Sequence, residues 1–477
     1  MNTTIKKTSK EEVSDYTVFI CSAGCKPEDL GLTDSEVNLL KREIAKEKKL
    51  LPLNLENLKT FVYFLEEKEE RYKTLEASRI QGNKLLHMLN EERAEEVTLI
   101  DFSGNPEEVL AFAEGVVLGN YQFLKYFSNE KKRKNTLEKV LIFGDEISEN
   151  SIRELQHITD ATCMARDLVN EPVCYLSAEK FSEEIKKAGK ANGFKVEVFN
   201  KLKIESLRMG GLLAVNRGSV HPPTFNILEY KPSNAKNTKP YVLVGKGVVF
   251  DTGGVNIKVQ NMELMKCDMG GGAAVVGAIS AIAKEKIPLY VIGLIPATDN
   301  RPGGNAYVPS DIITMYDGST VEILNTDAEG RVILADALSY AKKYKPELVV
   351  DIATLTGAAL RAIGMQGLVA MGNTFEGMEQ LKESGNEVYE RIAEFPLWDE
   401  YGEDIKSEVA DIKNLGTSGL AGAITAGKFL EYFTAYPWMH LDIAGPSFFE
   451  KGDHYRLKGG SGYGVRLLYN FLKKQIE

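Results

Sequence analysis

The sequence predicts an α/β protein of two domains, a smaller N-terminal one and a larger C-terminal one with a mostly parallel central sheet. Three observations carry that prediction. A chain of 477 residues exceeds the size at which a single hydrophobic core usually stops growing. Apolar β-type runs at Tyr241 to Phe250, Leu289 to Ile295 and Glu347 to Ala353 alternate with helical stretches at Gly271 to Lys284 and Arg331 to Lys343, the order that buries a parallel sheet between helices. The composition, 43% hydrophobic and 26% charged, is that of an ordinary globular chain able to pack such cores.

Taken in order, the region from Val13 to about Glu149 alternates Lys/Glu-rich helical stretches, such as Glu66 to Arg93, with short apolar runs at Val97 to Ile100 and Val140 to Phe143. It reads as a small α/β domain over residues 1–150. Ile152, Leu155, Ile158, Cys163 and Met164 recur at roughly helical spacing, and Pro172 discourages continuation. A connecting helix is therefore expected over 151–172, followed by the larger domain over 173–477. Ligands of open α/β sheets sit beyond the carboxyl ends of the strands, where Lys246 to Lys258 and Asn325 to Arg331 fall.

Several function classes lose ground on bulk properties. A net charge of −10 lacks the basic footprint of a protein that grips nucleic acid. The longest mostly apolar run, Gly270 to Ala283, is well short of the roughly 18 residues of a membrane span. The N-terminus is polar where a secretory signal carries its apolar stretch, so a cytoplasmic protein is expected. Cys21, Cys25, Cys163, Cys174 and Cys267 are scattered and odd in number, which reads as reduced thiols rather than a disulfide framework.

The unusual chemistry lies between Gly245 and Arg331. Gly245-Lys246-Gly-Val-Val-Phe-Asp251-Thr-Gly-Gly-Val-Asn-Ile-Lys258 and Asn325-Thr-Asp327-Ala-Glu329-Gly-Arg331, with Lys266-Cys267-Asp268 between them, place acids beside glycines. Glycine pairs let the main chain approach a ligand closely. Carboxylates of Asp251, Asp268, Asp327 and Glu329 converging on one pocket would repel one another unless protonated or compensated by cations, and two divalent ions would balance them. Oxygen ligands suit hard or borderline ions, and a metal pair can activate water and polarise a carbonyl, so hydrolysis is the natural reaction class. Each piece alone has a plainer meaning: Thr326 to Glu329 is a good helix N-cap, the lysines are solvated charges, and the glycines mark turns.

Other signals are weaker. Gly422 to Lys428 fits a phosphate-binding loop until Phe429 stands where Ser or Thr should hold magnesium; close helix packing by small residues explains it better. The five histidines form no His-Glu-x-x-His pair, and no Gly-x-Ser-x-Gly occurs.

Together the two glycine-acid stretches closely resemble the signatures of the leucine aminopeptidase family. The likeness runs from Ala165-Arg-Asp-Leu-Val-Asn-Glu-Pro172 through Asp351-Ile-Ala-Thr-Leu-Thr-Gly-Ala358 and His440-Leu-Asp-Ile-Ala-Gly-Pro446 to Gly462-Tyr-Gly-Val-Arg-Leu-Leu468. The resemblance implies a metal-dependent aminopeptidase that releases N-terminal residues, Leu or other apolar ones, by metal-activated water. It implies a macro-like N-terminal domain, a tighter metal site from Lys246, Asp251, Asp268 and Glu329, and a more exchangeable one from Asp251, Asp327 and Glu329. Two divalent ions per subunit follow, zinc or manganese, with magnesium or cobalt as substitutes. Lys258 is implied as the oxyanion stabiliser and Arg331 as the holder of a bicarbonate that relays the proton. Met265, Thr354 and Gly357 are implied around the first-residue pocket, and short peptides entering a homohexamer as the substrate setting. The alternative reading is a DNA-binding or regulatory member of the same family.

Overall fold

The computed structural model describes residues 3–9, 14–22, 24–44, 49–55 and 58–476; Val13 and the polar stretches 1–2 and 10–12 lie outside the described residues. The chain divides into two compact units. The first comprises Met1–Cys163 with the short segments Glu387–Tyr389 and Lys451–Lys458, and the second comprises Met164–Asn386, Glu390–Glu450 and Gly459–Glu477. The stretch expected as a connecting helix is helical over Glu149–Asn170.

The first unit holds a six-stranded sheet in the order Thr4–Lys7, Lys139–Phe143, Glu96–Phe102, Tyr16–Cys21, Leu58–Phe64, Leu50–Leu55. All neighbours are parallel except the final hairpin pair. Val18, Ile20, Val97, Leu99, Val140 and Ile142 alternate onto a core shared with Leu85 and Leu89 of helix Arg71–Glu91 and Phe112 and Val116 of helix Pro106–Gly119, as period-2 strands under amphipathic helices require.

The second unit is built on a nine-stranded sheet. Its order is Ile392–Glu394, Leu368–Gly372, Trp438–Asp442, Leu348–Ala353, Tyr241–Gly245, Val291–Asn300, Thr224–Tyr230, Lys195–Phe199, with Gly247–Asp251 also paired to Val291–Asn300. The central strands are parallel and antiparallel pairing is confined to the flanks. Val242, Val244, Ile292, Leu294, Val349 and Ala353 share a core with Val332, Leu334 and Leu338 of helix Glu329–Ala341. On the opposite face Gly293 packs toward Val275 and Ile279 of helix Gly270–Lys284. Both faces are covered, so the strands read as nearly continuous apolar runs.

One difference from the sequence reading positions the site. The run Tyr241 to Phe250 is two strands, Tyr241–Gly245 and Gly247–Asp251, broken at Lys246. The Lys246 N–H donates to Ile352 O at 3.1 Å and its carbonyl accepts from Gly272 N at 2.8 Å. The backbone at the break thus stays satisfied, as buried polar groups must.

Candidate metal centre

Five mutually parallel strands end at one edge of the sheet, and each delivers a polar residue there. Lys246 follows Tyr241–Gly245, Asp251 ends Gly247–Asp251, Asn300 ends Val291–Asn300, Thr354 follows Leu348–Ala353, and Asp442 ends Trp438–Asp442. Two further acids come from helix starts. Asp268 lies in the 3₁₀ helix Met262–Met269 directly before Gly270–Lys284, and Glu329 is the first residue of Glu329–Ala341, where the helix dipole favours an anion.

These elements bring one carboxylate oxygen each of Asp251, Asp268 and Glu329 within 4.8 Å of one another, all three residues buried. The Lys246 ammonium donates to Asp268 Oδ1 at 2.7 Å, to Glu329 Oε1 at 2.9 Å and to the Thr354 carbonyl at 3.0 Å. Thr354 also donates from Oγ1 to Asp268 Oδ1 at 2.8 Å. Lys246 passes over Gly330, where a Cβ would lie 2.5 Å from Lys246 Cε. At the outer end Lys258 Nζ sits 2.8 Å from Asp251 Oδ2 and 2.6 Å from Asp327 Oδ1. The turn between Asp251 and Lys258 needs Gly253, whose φ is +86° and whose added Cβ would meet the Asn256 carbonyl at 2.3 Å.

The plain N-cap reading of Thr326 to Glu329 fails here. The helix is capped by Ala328 without a side-chain bond, while Thr326 Oγ1 donates to the Gly253 carbonyl at 2.6 Å and accepts from Asn256 N at 2.9 Å. The threonine stitches two loops together and leaves Asp327 to Lys258. Lys428, the lysine of the phosphate-loop pattern, pairs with Glu431 at 2.5 Å inside helix Gly422–Glu431, and Gly427 packs toward Met371. That segment is a packing helix.

The electrostatics report an excess of negative charge. Burial works to depress Lys246, but Asp268, Glu329 and Asp251 outweigh it and hold the ammonium well above its ordinary value. Lys258 is raised in the same way against burial, chiefly by Asp251. Burial drives Asp268 well above the usual carboxyl range, with Glu329 and Asp251 adding to it against Lys246. Burial, Asp251 and Glu329 push Asp327 up to about 7 against Lys258. Four carboxylates share two lysines, and Asp268 Oδ2 and Glu329 Oε2 are buried with no hydrogen-bond partner among the described residues. A donor set of hard oxygens with unmet capacity and surplus negative charge fits divalent cations.

Arg331 is buried below the cluster in helix Glu329–Ala341. Its Nη1 donates to the Asn414 carbonyl at 2.9 Å and its Nε has no partner; among the described residues no carboxylate pairs with it. Burial lowers it to about 10, which leaves the guanidinium charged at neutral pH. Of the expected pocket residues, Thr354 touches the cluster directly. Met265 is half-buried three residues before Asp268 on the same 3₁₀ helix, and Gly357 is exposed at the start of helix Gly357–Ile363.

The sequence reading missed Asn300, Asn414 and Asp442. Asn414 Oδ1 accepts from Leu324 N at 2.8 Å and its Nδ2 donates to the Asn325 carbonyl at 2.7 Å, clamping the loop that carries Asp327. Asp442 accepts from Leu355 N, Thr356 N and Thr356 Oγ1, fixing the loop after Thr354. For Asn300 and Asp442 the available signal was a polar residue closing an apolar strand; nothing in the spacing marks Asn414.

A carboxylate cluster with unmet capacity at the carboxyl end of a parallel α/β sheet is the kind of site a metal-dependent hydrolase uses. Residues 163–469 match the cytosol aminopeptidase family, catalytic domain, and the chain belongs to that family. A Chlorobium limicola protein described as "Probable cytosol aminopeptidase" is 49% identical over 379 residues, covering 76% of this chain and 75% of the relative. One of the same description from Clostridium perfringens is 41% identical over 388 residues, covering 79% and 78%. Among solved structures, the bottromycin maturation enzyme BotP in complex with Mn superposes with a TM-score of 0.85 at 31% identity, covering 97% of this chain and 100% of that one. A mutant of tomato leucine aminopeptidase gives 0.85 at 28% identity, covering 99% and 96%. The protein is a metal-dependent aminopeptidase acting on peptides. Among the described residues no helix is long and apolar enough to cross a membrane.

Proposed function

We propose that the cluster holds two divalent cations, zinc or manganese with magnesium or cobalt as substitutes, and that the enzyme releases Leu or another apolar residue from the free N-terminus of short peptides. Lys246, Asp251, Asp268 and Glu329 form the tighter site, and Asp251, Asp327 and Glu329 the more exchangeable one. One observation carries this reading: Asp268 Oδ2 and Glu329 Oε2 are buried without a donor in a cluster whose oxygens approach within 4.8 Å. An unpaired buried anion costs several kcal/mol, and bound cations remove that cost. Such ions supply Lewis acidity, which lowers the pKa of water toward neutrality and polarises a carbonyl.

The chain's own groups do the rest. Lys246 is the counter-charge of the ion-free cluster and has a lone pair for a metal only after losing its proton. Lys258 keeps its ammonium and stands at the outer end of the cluster, where it donates to the substrate oxygen that gains charge. Arg331, charged and without a carboxylate partner among the described residues, fits a planar anion such as bicarbonate bidentately. Asp327, the most exposed of the four acids, faces the side from which a free α-amine arrives. Met265, Thr354 and Gly357 surround the first side chain, and an apolar pocket there discriminates by modest factors per methylene. A cytoplasmic homohexamer is the setting we propose.

Metal analysis of the purified protein, with turnover of leucyl, methionyl, glutamyl and N-acetyl-leucyl chromogenic substrates before and after chelation, tests this reading. Expected are bound divalent metal, preference for the apolar free-amine substrates, and loss of turnover on chelation restored by Mn²⁺ or Zn²⁺. Undiminished cleavage after complete metal removal would refute it.

A further inference from the structure

Asn300 is fully buried at the end of strand Val291–Asn300, in register with Asp251 of the neighbouring parallel strand. Its Nδ2 donates to Asp251 Oδ1 at 2.8 Å and to the Thr326 carbonyl at 2.9 Å. The orientation of the carboxamide is fixed by chemistry, because turning it over would set Oδ1 against a carboxylate and a carbonyl, two acceptors facing an acceptor. Its own carbonyl O accepts from Thr252 N at 3.0 Å and Thr252 Oγ1 at 2.8 Å, so the residue holds the backbone just past Asp251 as well. One side chain therefore joins the loop that carries Asp251 to the loop that carries Asp327 and Glu329.

The bond to Asp251 also selects which oxygen faces the cluster. Oδ1 is occupied by Asn300 and by the Gly253 N–H at 2.8 Å, which leaves Oδ2 on the side of Lys258. A neutral donor suits this place. It orients a carboxylate without cancelling its charge, whereas a lysine or arginine there would compete with a cation for the same anion. The orphaned Asn300 Oδ1 shows that the side chain is held by what its nitrogen does, since half its capacity is left unmet to keep the two donated bonds.

Resting on the two-cation reading above, we propose that Asn300 is a positioning residue of the metal centre, setting the rotamer of Asp251 and its separation from the Asp327 loop. Outer-shell partners of this kind typically change metal affinity by about 10- to 100-fold when removed. The test is isothermal titration of Mn²⁺ into the demetallated full-length wild type, Asn300→Ala and Asn300→Ser, with melting temperatures of the metal-free proteins recorded alongside. Serine keeps a polar group but is too short to bridge both acceptors, and carries the test if the alanine variant does not fold. Expected is Mn²⁺ affinity about 10- to 100-fold weaker in the variants, with KM for a leucyl substrate at saturating Mn²⁺ within about twofold of wild type. A lowered melting temperature with Mn²⁺ affinity within twofold of wild type would make Asn300 a structural strut only and overturn the inference. A wild type that takes up no Mn²⁺ or Zn²⁺ would instead bring down the metal reading itself.

Discussion

The two ends of the carboxylate cluster each set a lysine ammonium against two carboxylates, Lys246 against Asp268 and Glu329 and Lys258 against Asp251 and Asp327, in different surroundings. At the inner end Lys246, Asp268 and Glu329 expose 3%, 7% and 2% of their side chains; at the outer end Lys258 and Asp327 expose 19% and 33%. The inner group is held by a backbone carbonyl, a threonine hydroxyl and a glycine cleared for the lysine stem. The outer acid depends on a loop clamped by Asn414 and Thr326. In low dielectric an unpaired charge is costly and a paired one is rigidly placed, which is why the inner end is the tighter site in the proposed two-cation reading. Water at the more exposed outer end screens its charges, which is why that reading assigns the exchangeable ion and the substrate amine to it.

That contrast can be broken by removing one carboxylate from each end. Glu329→Ala removes one of the two carboxylates paired with Lys246 and an acid shared by both proposed sites, so kcat/KM should fall by about 1,000-fold or more. Metal content should fall with it while the circular dichroism spectrum is retained; a variant with near-native turnover would end the assignment. Lys258→Ala should lower kcat by about 100- to 1,000-fold, the scale of losing one oxyanion donor. Metal content measured on the same sample should not change, because Lys258 keeps its proton. Asp327→Asn should be milder, about 10- to 100-fold at low Mn²⁺, and should recover as Mn²⁺ is raised. Failure to recover would erase the distinction between a tight and an exchangeable end.

A buried acid outside the cluster, Asp336, sharpens the comparison because no cation pairs with it among the described residues. Fully buried in helix Glu329–Ala341, it accepts from the backbone N–H groups of Leu212 and Tyr316 at 2.9 Å each, and burial raises it to about 7. The unfolded carboxyl ionises near 3.9. Between those values the folded chain binds the extra proton, so its contribution to stability is full below about pH 4 and is lost as pH rises through 7. Urea unfolding of wild type and Asp336→Asn should show the difference moving in favour of the variant by about 3 kcal/mol between pH 4.5 and 7.5. A difference independent of pH would mean that Asp336 is ionised throughout.

The strands and helices of the larger unit were legible because their apolar periodicity is strong, and the one misreading is instructive. Tyr241 to Phe250 looks like a single strand since only Lys246 interrupts it, and a lone lysine in an apolar run does not reveal that the chain breaks to aim it inward. The acids beside glycines were legible as a group through their resemblance to a family. A helix cap is the plainer local meaning of Thr326, but its partners, Gly253 and Asn256, lie 73 and 70 positions away and its hydroxyl serves them instead of the helix. Asn300, Asn414 and Asp442 escaped because an asparagine or aspartate at a strand end is common, and only its partners distinguish a clamp from a solvated turn.

The order of residues determined the α/β alternation, the parallel core and the chemical inventory of the site, since hydrophobic periodicity and side-chain chemistry are local properties of a chain. Tertiary structure decided how those groups are used: which oxygens meet, which acid lies open, which asparagine orients which carboxylate. Those outcomes depend on separations of a few ångströms and on burial, and both are set by packing among residues far apart in the sequence.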